Sequence, residues 1–418
     1  MKCLYNAAAT RNKDRAKPDT LKGVGILTAR AKILFVTTGL ESGGAEMSLY
    51  KLVTRMDKSR FDCSVVSLTD AGPVLGARIQ EGGIPLHCLG FARGMPDPRM
   101  VTSLARWIGK AKPDLVQTWM YHADLVGGLA AGLARRPAAR RAPVVWSVHS
   151  THLVKGKNKS LTLGVIGLNA RLSRRLPARV LCCSDAARDT HLQLGYPETL
   201  LLTIPSGVDT EEFIPNPAAR ADVRQELHLP PDAPLIGLSA RFDPQKDHET
   251  FFRAAQILHR SRPEARFVLW GGGITPDNRT LARMAQGAGV DAQTHFLGLR
   301  RDTARLTAAL DAATCCSAFG ESFALVMGEA MACGIPCVTT DMAGPAAIVG
   351  GHGWVVPVRD ARALAEAWRE MLDLTPEARA ARQQDARGHI LDHFSLDKTV
   401  REYEAFYKTM LQNETADK

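Results

Sequence analysis

The chain has 418 residues, too many for one ordinary hydrophobic core, so two domains of roughly 200 residues are expected. With 45% hydrophobic and 23% charged residues its composition is globular, which excludes a fibrous or disordered chain, and no run reaches the ~18 apolar residues of a membrane helix. The net charge of +10 suits an anionic partner without choosing among nucleic acid, a membrane surface and a sugar nucleotide. Nine cysteines show no CxxC pair and no zinc spacing, so they fit a reduced, cytoplasmic setting better than a disulfide framework.

Residues 1–30 are basic and weakly patterned, with no unbroken apolar stretch of the kind a signal peptide needs, and read as a disordered extension. Ala31–Val36 is a short buried strand. A loop carrying Gly43-Gly44 and then a helical pattern through Met47, Leu49, Leu52, Val53 and Met56 follow it. Strand, glycine-rich loop and helix form the phosphate-cradling arrangement of doubly wound folds, although such a turn also serves simply to join strand to helix. Further strands are predicted at 61–68, 85–89, 114–119, 144–149, 180–183 and 201–204, with helices at 72–82, 97–111, 122–135, 158–175 and 185–194. This alternation predicts a parallel sheet covered on both faces over residues 31–206.

The stretch from Pro205 to Pro234 is the richest in chain breakers and reads as an interdomain linker, placed at 207–232. Beyond it a second α/β domain is predicted over 233–395. Its strands fall at 235–240, 266–270, 294–297, 312–316 and 337–340, and its helices at 247–261, 277–288, 302–310, 323–333 and 361–374. An amphipathic, aromatic helix, Thr399–Leu411, lies in the closing segment 396–418.

Five stretches carry candidate chemistry. In SARFDPQKDH, Arg241 and Lys246 stand five apart across a proline loop at a strand's carboxyl end, where ligands of open α/β sheets bind; they could converge on one anion or be a solvated pair. His149 ends a strand of the first half, where it is either a core histidine or a cleft residue. Gly271, within Gly271-Gly272-Gly273, and Leu299 lie in two further strand-end loops. In SAFGESFALVMGEAMACGIPCVTTD a helix is expected from near Phe323 to Cys333, capped by Ser322 and stopped by Gly334 and Pro336. The amides of Phe323, Ala324 and Leu325 would then face an anion. Glu321 and Glu329 lie about 9–12 Å apart along that axis at 1.5 Å per residue and could bracket an elongated ligand with sugar hydroxyls at both ends.

Glu321-x7-Glu329 followed by AMACGIP and Thr340-Asp341 resembles the donor-site signature of the retaining glycosyltransferases of family 4, which act in cell-surface polysaccharide and lipid-linked glycan synthesis. The Gly43-Gly44 loop, IPSGVD at 204–209 and GLSARFDPQKDHETF at 237–251 are similar to other segments of that family, so the likeness spans about Lys32 to Phe406. It implies the α/β GT-B fold, two Rossmann-like domains facing across a cleft, with the final helix crossing back to the first. It also implies a nucleotide-sugar donor (UDP- or GDP-linked) and no cofactor or metal, in keeping with the absence of an Asp-x-Asp motif. In that reading Arg241 and Lys246 clamp the diphosphate, Gly43 and Gly44 approach phosphate and sugar, and Gly271 and Leu299 sit near diphosphate and base. Glu321 orients the transferring sugar, Glu329 binds the ribose and His149 contacts the sugar. One departure stands out: family members often carry a Glu after the post-signature strand, where this chain has Ala343-Gly344-Pro345-Ala346-Ala347.

Lys155, Lys157, Lys159, Arg171, Arg174, Arg175 and Arg179 surround the apolar run 161–168 with no acidic residue between 151 and 180. This could be an amphipathic basic helix lying on an anionic membrane, which would make the enzyme peripheral at the inner face, or a helix flank packed on the sheet. His149 and His152, three apart with no third ligand, are not expected to hold a metal. Two other function classes remain open at this level: a sugar-nucleotide epimerase of the same fold, and a basic nucleic-acid-binding protein, for which no recognisable module is visible.

Overall fold

The computed structural model describes residues 30–41, 43–92, 97–134, 141–151 and 160–416. The predicted extension apart from Arg30, three of the lysines of the basic segment (155, 157 and 159) and His152 lie outside those residues.

The first domain alternates β1 (Ala31–Thr37), α1 (Gly44–Arg55), β2 (Phe61–Ser67), α2 (Leu75–Glu81), β3 (Leu86–Cys88), α3 (Arg99–Ala111), β4 (Leu115–Trp119), α4 (Tyr121–Leu133), β5 (Val144–Val148), α5 (Ser160–Leu172), β6 (Arg179–Cys182), α6 (Asp185–Gln193) and β7 (Leu201–Thr203). Its seven strands pair in parallel in the order β3-β2-β1-β4-β5-β6-β7. After α7 (Pro217–Glu226), the second domain runs β8 (Leu235–Ser239), α8 (His248–His259), β9 (Arg266–Trp270), α9 (Arg279–Gly287), β10 (Thr294–Phe296), α10 (Thr303–Ala308), β11 (Ala312–Cys315), α11 (Leu325–Ala332), β12 (Cys337–Thr340), α12 (Ala343–Val349), β13 (Trp354–Val356), α13 (Ala361–Leu372) and α14 (Pro376–His393). Its six strands are ordered β10-β9-β8-β11-β12-β13, again all parallel.

Both sheets are buried on both faces, and so their central strands are continuous apolar runs rather than alternating ones. In the first domain α1 and α2 cover one face through Leu49, Leu52, Val53, Leu75 and Ile79. Leu104 and Ile108 of α3, with Ala123 and Ala130 of α4 and Ile166 of α5, cover the other. In the second, α8, α9 and α13 pack on one face and α7, α10, α11, α12 and α14 on the opposite one.

Four elements escape the sequence reading, each for a local reason. α7 lies inside the stretch read as linker. Its Pro217 occupies the first helical turn, where proline costs no hydrogen bond, and Asn216 caps it by accepting from the Ala219 N–H at 3.1 Å. Buried Arg224 then anchors α7 to the second domain, donating to Asp311 at 2.7 Å and to the carbonyls of Ala309 and Ala233. α14 buries only Ala386 and Ile390 along 18 residues, too sparse a stripe to read as a period. β13 has three residues. α12 occupies the Ala-Gly-Pro stretch that was expected to be a loop.

The chain crosses between the domains twice at one place. Val208 donates to the Phe394 carbonyl at 2.8 Å, and Leu396 donates back to the Val208 carbonyl at 2.7 Å. The final helix, α15 (Leu396–Ala416), then returns across the first domain, as expected. Its Tyr403 and Tyr407 are buried in that domain's core, Tyr407 edge-on to Phe35 and Phe61. Arg55 of α1 reaches the crossing as well, pairing with Asp209 at 3.2 Å and Glu211 at 2.7 Å.

Candidate active site

Parallel strands present their carboxyl ends on one edge, and the two sheets turn those edges toward each other. Between them lies a cavity of about 560 Å³. From the first domain it is lined by Gly43, Gly44 and Glu46 at the start of α1 and by Met120, His149 and Cys183, each just beyond a strand end. The second domain contributes Arg241, Lys246, Gly271, Leu299 and the run Gly320–Val326. All the site residues expected from the sequence therefore meet at one cavity, apart from Glu329.

Gly271 shows why backbone can come so close there. Its φ is +138°, and a Cβ would fall 2.2 Å from the Ala240 carbonyl oxygen, so only glycine lets the loops after β8 and β9 pack together. A Cβ on Gly44 would come within 3.9 Å of the Leu325 side chain, so the N-termini of α1 and α11 face one another across the cleft. Neither helix has a side-chain cap; their N-caps are Gly43 and Ala324. Uncapped amides and two converging dipoles favour an anion between them.

The expected cap at Ser322 is a correction. α11 starts at Leu325, after Ala324 in the left-handed region (φ +53°), and the Ser322 hydroxyl donates instead to the His149 carbonyl at 3.0 Å. That contact joins the two domains across the cleft. Gly344 of α12 is packed so tightly behind the same loop that a Cβ would lie 2.3 Å from the Ser322 carbonyl oxygen.

Lys246 forms an ion pair with Glu321, whose same carboxylate oxygen accepts from the Ser317 hydroxyl at 2.9 Å. Burial alone would raise the Glu321 pKa, but the charge and hydrogen bond of Lys246 outweigh it and hold the carboxylate below its ordinary range. Burial likewise works against the Lys246 ammonium, and Glu321 reverses it, so the lysine is raised. Both partners are therefore charged at neutral pH. Arg241 is more open: its side chain is 57% exposed, with Asp243 at 3.2 Å and Gln245 at 3.1 Å. Such exposed contacts are weak and exchange readily for a stronger anion.

His149 is neutral, its pKa depressed to about 3 by burial, and its Nε2 is buried without a hydrogen-bond partner. His149 also lines the cavity, where a neutral imidazole can donate to or accept from a ligand hydroxyl. Glu329 stands apart. It is raised by burial, partly offset by Lys51 of α1, and Lys51 itself pairs with Glu212 at 3.4 Å.

Glu46 was not singled out from the sequence, yet it lines the cavity. Its carboxylate folds over Gly43, where a Cβ would meet Oε2 at 2.3 Å, and accepts from its own backbone N–H. Burial raises its pKa against that hydrogen bond and the charge of Arg241. An acid in the first turn after Gly-Gly was the available signal.

Residues 42–212 match the family described as Glycosyltransferase Family 4, and residues 219–389 match Glycosyl transferases group 1. D-inositol 3-phosphate glycosyltransferase of Saccharomonospora viridis is 30% identical over 69% of this chain and 68% of its own length. The chain is a family 4 glycosyltransferase. The GDP-mannose-dependent alpha-(1-6)-phosphatidylinositol monomannoside mannosyltransferase of Mycolicibacterium smegmatis is also 30% identical, over 72% of the transferase and 77% of the relative. Solved structures agree on the fold. HepE of Anabaena, in complex with UDP and glucose, superposes with a TM-score of 0.78 at 22% identity, covering 91% of the transferase and all of HepE. Sucrose-phosphate synthase of Thermosynechococcus elongatus gives 0.72 at 19% identity, covering 92% and all of its own chain. The transferase thus has the expected GT-B architecture, and its relatives decide against the epimerase and nucleic-acid-binding alternatives.

Proposed function

We propose that the transferase moves a hexose-type sugar from a UDP- or GDP-sugar to a glycan or lipid-linked acceptor, with retention of configuration and without a metal ion. The observation that carries this reading is the convergence of Arg241, Lys246 and the uncapped N-terminus of α11 on one cavity, closed from the opposite domain by His149. Two cations and a helix N-terminus supply the positive field a departing diphosphate needs. Glu321, once its lysine turns to phosphate, is free to accept from sugar hydroxyls, and neutral His149 offers a ring nitrogen to the sugar. The acceptor attacks the anomeric carbon from the face the diphosphate leaves, the C–O bond to phosphate breaks, and a phosphate oxygen takes the acceptor proton. Glu329 serves the ribose only if its carboxylate turns from its place near Lys51.

The test is transfer from a panel of UDP- and GDP-sugars in the presence of a chelator, with the product's anomeric configuration read by NMR. A retained anomer formed at undiminished rate is expected; an inverted product, or activity abolished by chelation, refutes the corresponding part.

A membrane-bound acceptor is supported by the exposed residues of α4 and α5. Leu129 and Leu133 of α4 and Leu161 and Leu168 of α5 are exposed, as are Arg171, Arg174 and Arg175 at and after the end of α5. Ile166 is buried in the domain core, so the helix packs on the sheet and still presents apolar surface. Among the described residues no helix is long and apolar enough to cross a membrane. Exposed apolar side chains followed in sequence by arginines suit the cytoplasmic leaflet, each basic residue contributing about 1 kcal/mol near an acidic surface. Neutralising the three arginines should lower cosedimentation with acidic vesicles; unchanged sedimentation dismisses the membrane reading.

A further inference from the structure

Trp119, at the carboxyl end of β4, does not line the cavity, yet it touches three parts of the molecule that converge there. It is 1% exposed. Its ring stacks on His149, with centroids 4.4 Å apart and planes at 29°. Its Nε1–H donates to the Ala45 carbonyl at 2.8 Å, in the first turn of α1 beside Gly43 and Gly44. Tyr403 of α15 lies 6.4 Å from it at 28°. The same helix is tied to the strand carrying His149 a second way: the Tyr407 hydroxyl donates to Gln117 Oε1 at 3.3 Å, and the Gln117 amide donates to the Ser147 hydroxyl.

His149 meets the indole on one side and the opposite domain through its backbone. Its Nε2 has no hydrogen-bond partner, and its backbone carbonyl is engaged by Ser322 from the opposite domain. The stacked indole is thus a ring contact able to aim the imidazole. That indole also holds the first turn of α1 through its bond to the Ala45 carbonyl.

We propose that Trp119 is a positioning residue for glycosyl transfer. It sets the direction of His149 Nε2 and the placement of the Gly43-Gly44 turn together, and through Tyr403 it makes both depend on the docked C-terminal helix. The inference rests on the reading of the cleft as a nucleotide-sugar site. Arg241 and Lys246, the two cations of that reading, share no hydrogen bond, ion pair or ring contact with the indole among the described residues, so most of the grip on the diphosphate separates from it experimentally.

The experiment uses the full chain, with UDP and GDP as binding probes and transfer kinetics on whichever nucleotide sugar the wild type turns over. Trp119→Leu removes stacking and hydrogen bond, and kcat should fall ~10–100-fold, since ~1 Å of misplacement costs about that much. The Kd for the nucleoside diphosphate should stay within about threefold. Trp119→Phe keeps a ring against His149 but loses the bond to Ala45; it should restore kcat to within about threefold of wild type while KM for the donor rises about three- to tenfold. A Trp119→Leu variant that matches wild-type kcat, or loses diphosphate binding in step with kcat, overturns the proposal. If Trp119→Leu does not fold, Trp119→Phe decides alone: an unchanged donor KM overturns the proposal and the KM rise at preserved kcat supports it. A wild type that binds neither nucleotide and transfers nothing sinks the donor-site reading and this inference with it, whereas normal wild-type transfer with indifferent variants sinks this inference alone.

Discussion

Replacing Lys246 with methionine keeps its length and removes its charge. It leaves Glu321 with the Ser317 hydroxyl alone, in a place where the two paired side chains are only 16% and 14% exposed. Removing one partner of a buried pair costs about 3–5 kcal/mol when the other must stay charged. Glu321 has an escape, which is to take up a proton. From an ordinary carboxylate pKa near 4.3, neutralisation at pH 7 spans about 2.7 pH units at 1.36 kcal/mol each, so the loss is capped near 3.7 kcal/mol. Residual solvent access lowers it further, and about 2–3 kcal/mol is expected, a fall of roughly 5–10 °C in the melting temperature of a domain this size. The pH dependence follows from the direction of the shift. Glu321 is depressed in the folded wild type, so its contribution is present above the unfolded pKa and is lost as pH falls through the folded one. In Lys246→Met that contribution is gone, so the deficit is largest at neutral pH and closes below about pH 4.5. The double variant Lys246→Met/Glu321→Gln should recover most of the stability but none of the turnover, which falls ~10²–10³-fold if Lys246 stabilises the leaving diphosphate. Calorimetry of the four proteins between pH 4 and 8, alongside transfer rates, closes the cycle. A single variant as stable as wild type at pH 7, or a double variant no more stable than the single, refutes the account of a coupled buried pair.

Three further outcomes are expected. Gly344→Ala should cost about 1–3 kcal/mol and lower activity, because its methyl meets the Glu321–Ser322 backbone. Gly109→Ala, in α3 with nothing within 4 Å, should instead gain about 0.5–1 kcal/mol, and equal effects in thermal melts would refute the packing argument. His191 and His248 are buried, and burial holds each at about 4. Because the unfolded chain takes up those protons near pH 6.5, stability should be complete above that and decline toward pH 4, each group adding up to about 1.4 kcal/mol per pH unit. His248→Phe, which removes an Nε2 without a hydrogen-bond partner, should flatten that acid slope measurably; an unchanged slope counts against it. Arg241→Gln should weaken UDP or GDP binding about tenfold by calorimetry, the value of one charge-assisted hydrogen bond, and retained affinity would remove it from the diphosphate site.

The alternation of short apolar runs with helical periods, and the breakers between them, were enough to specify two parallel-sheet domains and most of their strands, because those signals are local: burial on both faces, the helical repeat, glycine and proline geometry. The motif segments likewise pointed to residues that the structure gathers at one cavity, since strand-end loops of such sheets open on a common edge. Partnership between distant side chains was not legible. Ser322 looks like a helix cap by spacing, but the opposite domain offers its hydroxyl the His149 carbonyl, and Ala324 begins the helix uncapped. Glu329 has the right interval from Glu321, yet its helix turns it toward Lys51 of α1. α7 and α14 bury too few apolar residues to show a period, and their places are held by contacts more than fifty residues away, such as Arg224 with Asp311 and Arg387 with the Ala332 carbonyl. Trp119 reads as one more apolar strand residue until β4, β5, α1 and α15 bring His149, Ala45 and Tyr403 to its ring. Periodicity is written along the chain; which groups spend their hydrogen bonds and charges on each other is decided only when segments hundreds of residues apart are packed together.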